Sequence, residues 1–305
     1  MAAILVTGAS GLLGSNLAYD YAGDHEVWGV FNKHHLTLKN VRMIGADFTD
    51  ERQAAMVLGK IKPDLVIHCA AATDIDRCQR ESDWAFLLNE QMAKHIATAA
   101  SQNEADLIHI STDAIFSSEE MPHSEGEEPA PNNIYAKSKL AGERAVLGAM
   151  PKALVIRTNL FGWNWRRDKK SLAEWFLSNL ERGREVKGFA DVFFSPILVN
   201  DLGRFLMKLW TSGQSGVLHV AGKNCVSKFE FGRKLAKSFG LDPRLIKRST
   251  LKSVDLYAPR AKSLCLDCQR AESVLDAAMP SLDEMIERFV ELKSIRSSRP
   301  MTRSN

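Results

Sequence analysis

Tyr135 and Lys139 stand four residues apart in the run Tyr135-Ala136-Lys137-Ser138-Lys139. On a helix that spacing puts a phenol and an ammonium on one face, able to enter the same cleft. A free tyrosine titrates at about pH 10, and a cation beside it favours the phenolate. The phenol is therefore expected to titrate nearer working pH and to pass a proton to or from an oxygen. Taken alone, Y-x-x-x-K is also a common surface pairing. Here it has company, because Leu107-Ile108-His109-Ile110-Ser111-Thr112-Asp113 reads as a buried strand ending in hydroxyl side chains. Thr112 is the candidate to hydrogen-bond a substrate oxygen, with Ser111 beside it at the edge where doubly wound sheets bind ligands.

A second constellation opens the chain. Ile4-Leu5-Val6-Thr7-Gly8-Ala9-Ser10-Gly11-Leu12-Leu13-Gly14-Ser15-Asn16-Leu17 is an apolar strand, a glycine-spaced turn and the start of a helix. Gly8 permits a tight turn, Gly11 lets backbone N–H groups approach a diphosphate, and Gly14 allows close helix packing. With Ser10, Leu12 and Leu13 these residues form a candidate dinucleotide cradle, aided by the partial positive charge of the helix N-terminus. Ala70, Ala71 and Ala72 keep side chains small where a cofactor would cross the strand ends. The second strand ends in Val30-Phe31-Asn32-Lys33-His34-His35, without the acid that would bond a ribose 2′-hydroxyl and repel a 2′-phosphate. Lys33 thus points to NADP(H) as the preferred cofactor and NAD(H) as the second choice, a plain solvated basic loop being the alternative.

The elements that must position these groups follow from the hydrophobic pattern. Strands are expected at Ala3–Thr7, Glu26–Phe31, Val41–Gly45, Leu65–Cys69, Leu107–Ser111 and Ala153–Thr158, alternating with helices near Gly14–Ala22, Glu51–Lys60, Asp83–Asn103 and Tyr135–Gly148. That alternation predicts an α/β fold, a doubly wound parallel sheet of Rossmann type. Beyond Phe161 come a Trp- and Arg-bearing loop at Trp163–Lys170, helices near Leu172–Gly183, Asp201–Trp210, Ser227–Phe239 and Leu282–Ile295, and a strand at Gly216–Ala221. The expected division is a dinucleotide-binding domain from 1–160 plus about 196–222, a smaller substrate-binding region from about 161–195 and 223–295, and a disordered basic tail at 296–305.

With 305 residues, 45% hydrophobic and 25% charged, the chain can bury a full core. No apolar run approaches the roughly 18 residues of a membrane span. A net charge of +3, evenly spread, argues against nucleic acid as a partner. The N-terminus lacks the pattern of a secretory signal, so the cytoplasm is the expected compartment. Five cysteines, Cys69, Cys78, Cys225, Cys265 and Cys268, are expected as reduced thiols. No second cysteine pair or nearby histidine completes a zinc site around Cys265 and Cys268, so no metal is expected.

The T-G-x-x-G-x-x-G loop, the alanines, Ser111-Thr112 and Tyr135/Lys139 occur in the order of the short-chain dehydrogenase/reductase superfamily, which the chain resembles. That resemblance implies adenine contacts from Asp47 and Phe48, and a role for Asn89 in placing the lysine and a water. Length and motif order resemble the extended branch, whose C-terminal region binds nucleotide-sugars. Within it, Ala70–Asp76, Ser111–Phe116, Ile156–Gly162, Pro196–Leu202 and Arg260–Asp267 resemble the dTDP-4-dehydrorhamnose reductase family. The resemblance implies reduction of a 4-keto sugar on a nucleotide diphosphate, with Thr112, Tyr135 and Lys139 catalytic. Two positions depart from that family: Ala72 stands where a histidine is usual, and Asn159-Leu160 where a tryptophan follows Arg-Thr-Ser.

Thr73, Asn159, Trp163 and Arg166 are the candidates to face the sugar. Trp163 or Trp165 could replace the missing ring or simply pack; Arg166, Arg167, Lys169 and Lys170 could clamp a diphosphate or form an exposed charged loop. Two other readings of the same fold stay open: a regulatory subunit like the β subunit of methionine adenosyltransferase, and a nucleotide-sugar epimerase or dehydratase with tightly held NAD. The expected partner is a nucleotide-sugar, and a homodimer stays open. Replacing Lys33 with Glu should raise the KM for NADPH about tenfold more than that for NADH. Steady-state kinetics with both cofactors test this, and equal effects would remove Lys33 from the cofactor site.

Overall fold

The computed structural model describes residues 1–166 and 168–297. Arg167 and the tail expected at 296–305 lie outside them, apart from the end of the last helix, Leu282–Ser297. Strands β1 (Ala3–Thr7), β2 (Glu26–Phe31), β3 (Val41–Gly45), β4 (Leu65–His68), β5 (Asp106–Ile110) and β6 (Leu154–Arg157) join Gly216–His219 in one seven-stranded sheet. The order is Gly216–His219, β6, β5, β4, β1, β2, β3, and every pairing is parallel. Its central strands are apolar runs because both faces are covered. Ile4 and Val6 enter one core with Leu17 and Leu206, whereas Leu5 enters the other with Leu58 and Ile96. Each such side chain contributes about 2 kcal/mol by burial.

Helices α1 (Leu12–Tyr21), α2 (Glu51–Ile61), α3 (Ile75–Arg80), α4 (Ser82–Phe86), α5 (Met92–Gln102) and α6 (Ile134–Ala149) connect the strands. Strand order reverses at β1 and β4, the switch point at whose carboxyl ends sheets of this kind form their binding crevice, and the loop at Gly8 and the run Ala70–Ala72 both stand there. The helix expected at Asp83–Asn103 is interrupted by a π-helical turn at Leu87–Gln91. The wider turn directs Asn89 inward, where its side chain bonds both backbone polar groups of Ala72 and the Ser138 hydroxyl.

After β6 the chain forms small sheets instead of extending the large one. Phe193–Phe194 pairs with both Val226–Ser227 and Ser263–Leu264, while Val186–Phe189 pairs with Ile246–Ser249. The helix Val199–Thr211 returns to α1, where the Tyr21 hydroxyl donates to the Gly203 carbonyl at 2.7 Å. The apolar core on this side runs without a break from Ile4 through Phe194 to Phe289. That registry corrects the expectation of reduced cysteines: Cys225 and Cys265 form a disulfide, leaving Cys69, Cys78 and Cys268 as free thiols. Strands following Cys225 and preceding Cys265 both pair with Phe193–Phe194, which brings together thiols 40 residues apart.

At Gly14 the helix lies against the turn so closely that an added Cβ would stand 2.4 Å from the Gly8 carbonyl oxygen. Gly14→Ala should therefore destabilise the protein by about 1–3 kcal/mol, as overpacking does, and displace the loop. Urea denaturation reads the first effect. An unchanged midpoint would contradict the packing.

Candidate active site

Gly8 ends β1 with φ 63°, and an added Cβ there would lie 2.8 Å from the Ala70 nitrogen. The turn closes with Gly11 N–H donating to Gly8 C=O at 2.8 Å. Gly11 is the N-cap of α1 and supplies no side-chain cap, so the first N–H groups of that helix remain open to the crevice. Such an uncapped, glycine-lined N-terminus suits a diphosphate. Lys33 is exposed just past β2. Near it, burial would raise the Asp47 pKa, but hydrogen bonds from Thr49 and Asn32 and the Lys33 charge together hold it below the ordinary carboxylate value. These residues fit a dinucleotide cofactor, with Lys33 the cation available at its ribose end.

Tyr135 enters the crevice one residue into α6, whose N-cap Asn133 accepts from Ala136 N–H at 2.9 Å. Thr112 follows β5 and is buried; its hydroxyl donates to Asp113 at 3.2 Å and accepts from Ala114 N–H. The phenol is pushed up to about 12, by burial first; the Thr112 hydroxyl opposes this, while Asp113 and Cys78 add to it. This reverses the expected lowering. Lys139 is turned instead to the Ile110 carbonyl, to which its ammonium donates at 2.7 Å. Burial lowers that ammonium to about 8 against the attraction of Glu143. Below it, burial and the Lys139 charge keep the His68 and His109 imidazoles neutral, His68 falling to about 3.

One turn beyond Lys139, Glu143 accepts from the Arg157 guanidinium at 2.8 Å and from Ser111. Both partners are nearly inaccessible, 3% and 6% exposed at their side chains, which is why the charges occur as a pair. Sequence reading missed this pair, although Glu143 lies four residues after Lys139 on the same helical face. It also missed Asp113 as a functional group. That carboxyl is buried and raised to about 6, with Asn159, Thr112 and Lys228 acting in the opposite direction. Asn159 donates to it.

The predicted sugar-facing residues do not all converge. Asn159 joins the site through Asp113, and Thr73 is exposed, two residues before α3. Trp163 does not: it is 5% exposed, stacks on Phe289 with ring centroids 4.2 Å apart, and donates from Nε1 to the Phe289 carbonyl. It is core. Trp165 packs against Tyr19 of α1, and the Trp163 carbonyl accepts from Asn16, so this loop sits on the α1 side. Arg166 is buried in an ion pair with Asp168, while Lys170 donates to Ser178; the cationic cluster is not assembled around the phenol. The disulfide takes Cys265 away from Cys268, and among the described residues no group of three or more His, Cys, Asp or Glu side chains could hold a metal.

Comparison with known proteins agrees with this architecture. The chain is 34% identical over 284 residues to the probable low-salt glycan biosynthesis reductase Agl14 of Haloferax volcanii, covering 92% of this chain and 94% of that one. It is 32% identical to dTDP-4-dehydrorhamnose reductase of Mycobacterium tuberculosis, with 88% and 85% covered. Among solved structures, dTDP-4-dehydrorhamnose reductase from Bacillus anthracis in complex with NADP superimposes with a TM-score of 0.82 at 27% identity, covering 95% of this chain and 99% of that one. The RmlD substrate binding domain profile matches residues 1–294, and with a sheet, glycine turn and Tyr-Lys helix in the corresponding order the chain belongs to that family.

Proposed function

We propose that this chain reduces a keto group on a nucleotide-linked sugar, with NADPH preferred over NADH. The observation that carries the reading is the meeting of Thr112, Tyr135 and Lys139 at the crevice beside the open N-terminus of α1. The relatives named as reductases support it, as does the NADP-bound structure. Gly8, Ser10, Gly11, Leu12, Leu13 and Gly14 would hold the diphosphate of the cofactor, whose reduced nicotinamide would supply a hydride to the carbonyl carbon. Tyr135 supplies the proton to the carbonyl oxygen. Its high pKa keeps it protonated at neutral pH, as an acid catalyst for reduction must be. Thr112 turns its hydroxyl from Asp113 to the same oxygen and orients it. Lys139, charged at pH 7, holds the cofactor ribose and stabilises the phenolate as it forms. Asn89 fixes the alanine run against α6.

Intact acid–base residues favour an enzyme over a regulatory subunit on this fold. Among the described residues no helix is long and apolar enough to cross a membrane, and we take the cytoplasm as the compartment. The test is NADPH oxidation against a panel of dTDP- and UDP-linked 4-keto sugars. Tyr135→Phe should lose about 10²–10⁴-fold in kcat while still binding NADPH. Turnover retained by that variant would refute the assigned roles; a protein that purifies with bound nucleotide and needs no reductant would be an epimerase.

The pH dependence has a fixed sign. Below about 8 Lys139 is charged, and above it the charge is lost while Tyr135 is still protonated up to about 12. Measured kcat/KM for reduction should thus fall on the alkaline side with a midpoint near 8. A plateau extending beyond pH 10 would contradict the role of Lys139.

A further inference from the structure

A covalent bridge fastens the outer strands of a very small sheet. Cys225 stands immediately before Val226–Ser227 and Cys265 immediately after Ser263–Leu264, and the disulfide joins them across 40 residues of chain. The two strands do not pair with each other; each pairs with Phe193–Phe194, which lies between them. All three strands are two residues long. Strands this short contribute little stability of their own, so the bridge is a main tie between the outer two.

The segment so fastened reaches the residues that carry the proposed catalytic groups. Arg260 pairs with Asp76 of α3 at 2.9 Å, and Ala258 N–H donates to the same carboxylate at 3.1 Å. Asn133, the N-cap of α6 two residues before Tyr135, donates to the Pro259 carbonyl at 3.0 Å. Next to the bridge, the chain docks on the connection between β5 and α6, which begins with Ser111-Thr112. His123 N–H donates to the Cys265 carbonyl at 2.8 Å, and Asp267 N–H donates to the His123 carbonyl at 2.8 Å. The His123 ring is buried and its Nε2 bonds the Ser263 carbonyl at 2.9 Å. Residues 258–267 therefore act as a strap that joins α3 to the head of α6, with the disulfide near its end.

The two sulfurs differ in access. Cys225 is exposed and Cys265 is fully buried, so an external thiolate meets the bridge at Cys225. Cys268, the other thiol of the C-x-x-C, is a poor competitor within the chain, because burial pushes it up to about 12. The cytoplasm, the compartment proposed for this chain, keeps most thiols reduced, and disulfides that occur there usually serve catalysis or redox sensing.

We propose that the Cys225–Cys265 disulfide is a redox-sensitive fastening of this strap: closed, it holds 258–267 against α3 and α6 for sugar binding, and a dithiol opens it. One thiolate of the dithiol attacks the Cys225 sulfur, and Cys265 leaves as a thiolate that takes up a proton. The second thiol then displaces Cys225 and becomes the other half of the dithiol's own disulfide. Two electrons and two protons pass to the protein, which ends with two thiols. The inference adds regulation to the crevice and rests, for its effect on turnover, on the reading of that crevice as a keto-sugar site. Gly8, Gly11 and Gly14 belong to the loop after β1 and make no contact with the bridge, so cofactor binding is spared.

The experiment compares the full chain closed with oxidised glutathione and opened with dithiothreitol. Alkylation of the denatured protein should find three thiols in the closed form and five in the open one, with mass spectrometry placing the bridge at Cys225 and Cys265. Opening should speed hydrogen exchange at the Ala258, His123 and Asp267 amides. It should also weaken calorimetric binding of a dTDP-linked 6-deoxy sugar in the presence of NADP on the order of tenfold, while the Kd for NADPH stays unchanged. Cys225→Ser should match the open form and ignore dithiothreitol. Five thiols after oxidation, or equal exchange and sugar binding in the two forms, would overturn the inference. If exchange and sugar binding follow the bridge but no sugar oxidises NADPH in either form, the fastening stands and the reductase reading fails.

Discussion

Lys139 carries its charge into the protein with one hydrogen bond, 2.7 Å to the Ile110 carbonyl, and its surroundings are arranged around the cost of that burial. The carbonyl is available because β5 ends there, the next residue, Ser111, donating its N–H to Ile156 across the sheet. Glu143 attracts the ammonium but is itself committed to Arg157 and Ser111, so compensation is partial and the pKa settles at about 8. Beneath, two imidazoles stay neutral and spare the site further positive charge. The result is a lysine charged at neutral pH and easily discharged above it, beside a phenol that burial keeps protonated.

Polar ties close the crevice from the second half of the chain. Asp76 of α3 meets Arg260, Asn133 at the head of α6 meets the Pro259 carbonyl, and Asp113 after β5 meets Asn159. Each joins a group at the carboxyl edge of the large sheet to a segment beyond β6. Apolar packing fixes the scaffold below, while the layer facing ligand is held by hydrogen bonds that individually contribute only about 1 kcal/mol. Such a layer can vary without altering the sheet, which is consistent with a family profile matching residues 1–294.

The sheet and the glycine turn were legible in the sequence because their causes are local. Ile4–Val6 and Leu65–Ile67 are apolar on both faces, and Gly8, Gly11 and Gly14 stand directly between strand and helix. The π-helical turn was not legible, since Asn89 is drawn inward by Ala72 and Ser138, 17 residues before it and 49 after. Nor was the direction of the Tyr135 shift. Spacing placed Lys139 on the right face, but the Ile110 carbonyl decides where its charge points. Trp163 matched the composition of a sugar platform, yet Phe289, 126 residues away, claims it for the core. The disulfide depended on the pairing of Phe193–Phe194 with two remote strands.

The most direct measurement of the central claim follows the hydride. NADPH carrying deuterium at the nicotinamide C4 position, incubated with the protein and a dTDP-linked 4-keto-6-deoxy sugar, should place deuterium on the sugar carbon that bore the ketone, with one stereochemistry and one label per NADPH oxidised. Proton NMR of the product reads it. Label absent from that carbon while the sugar changes configuration, or no reaction by protein that binds NADPH, would contradict the account of this crevice as a carbonyl-reducing site.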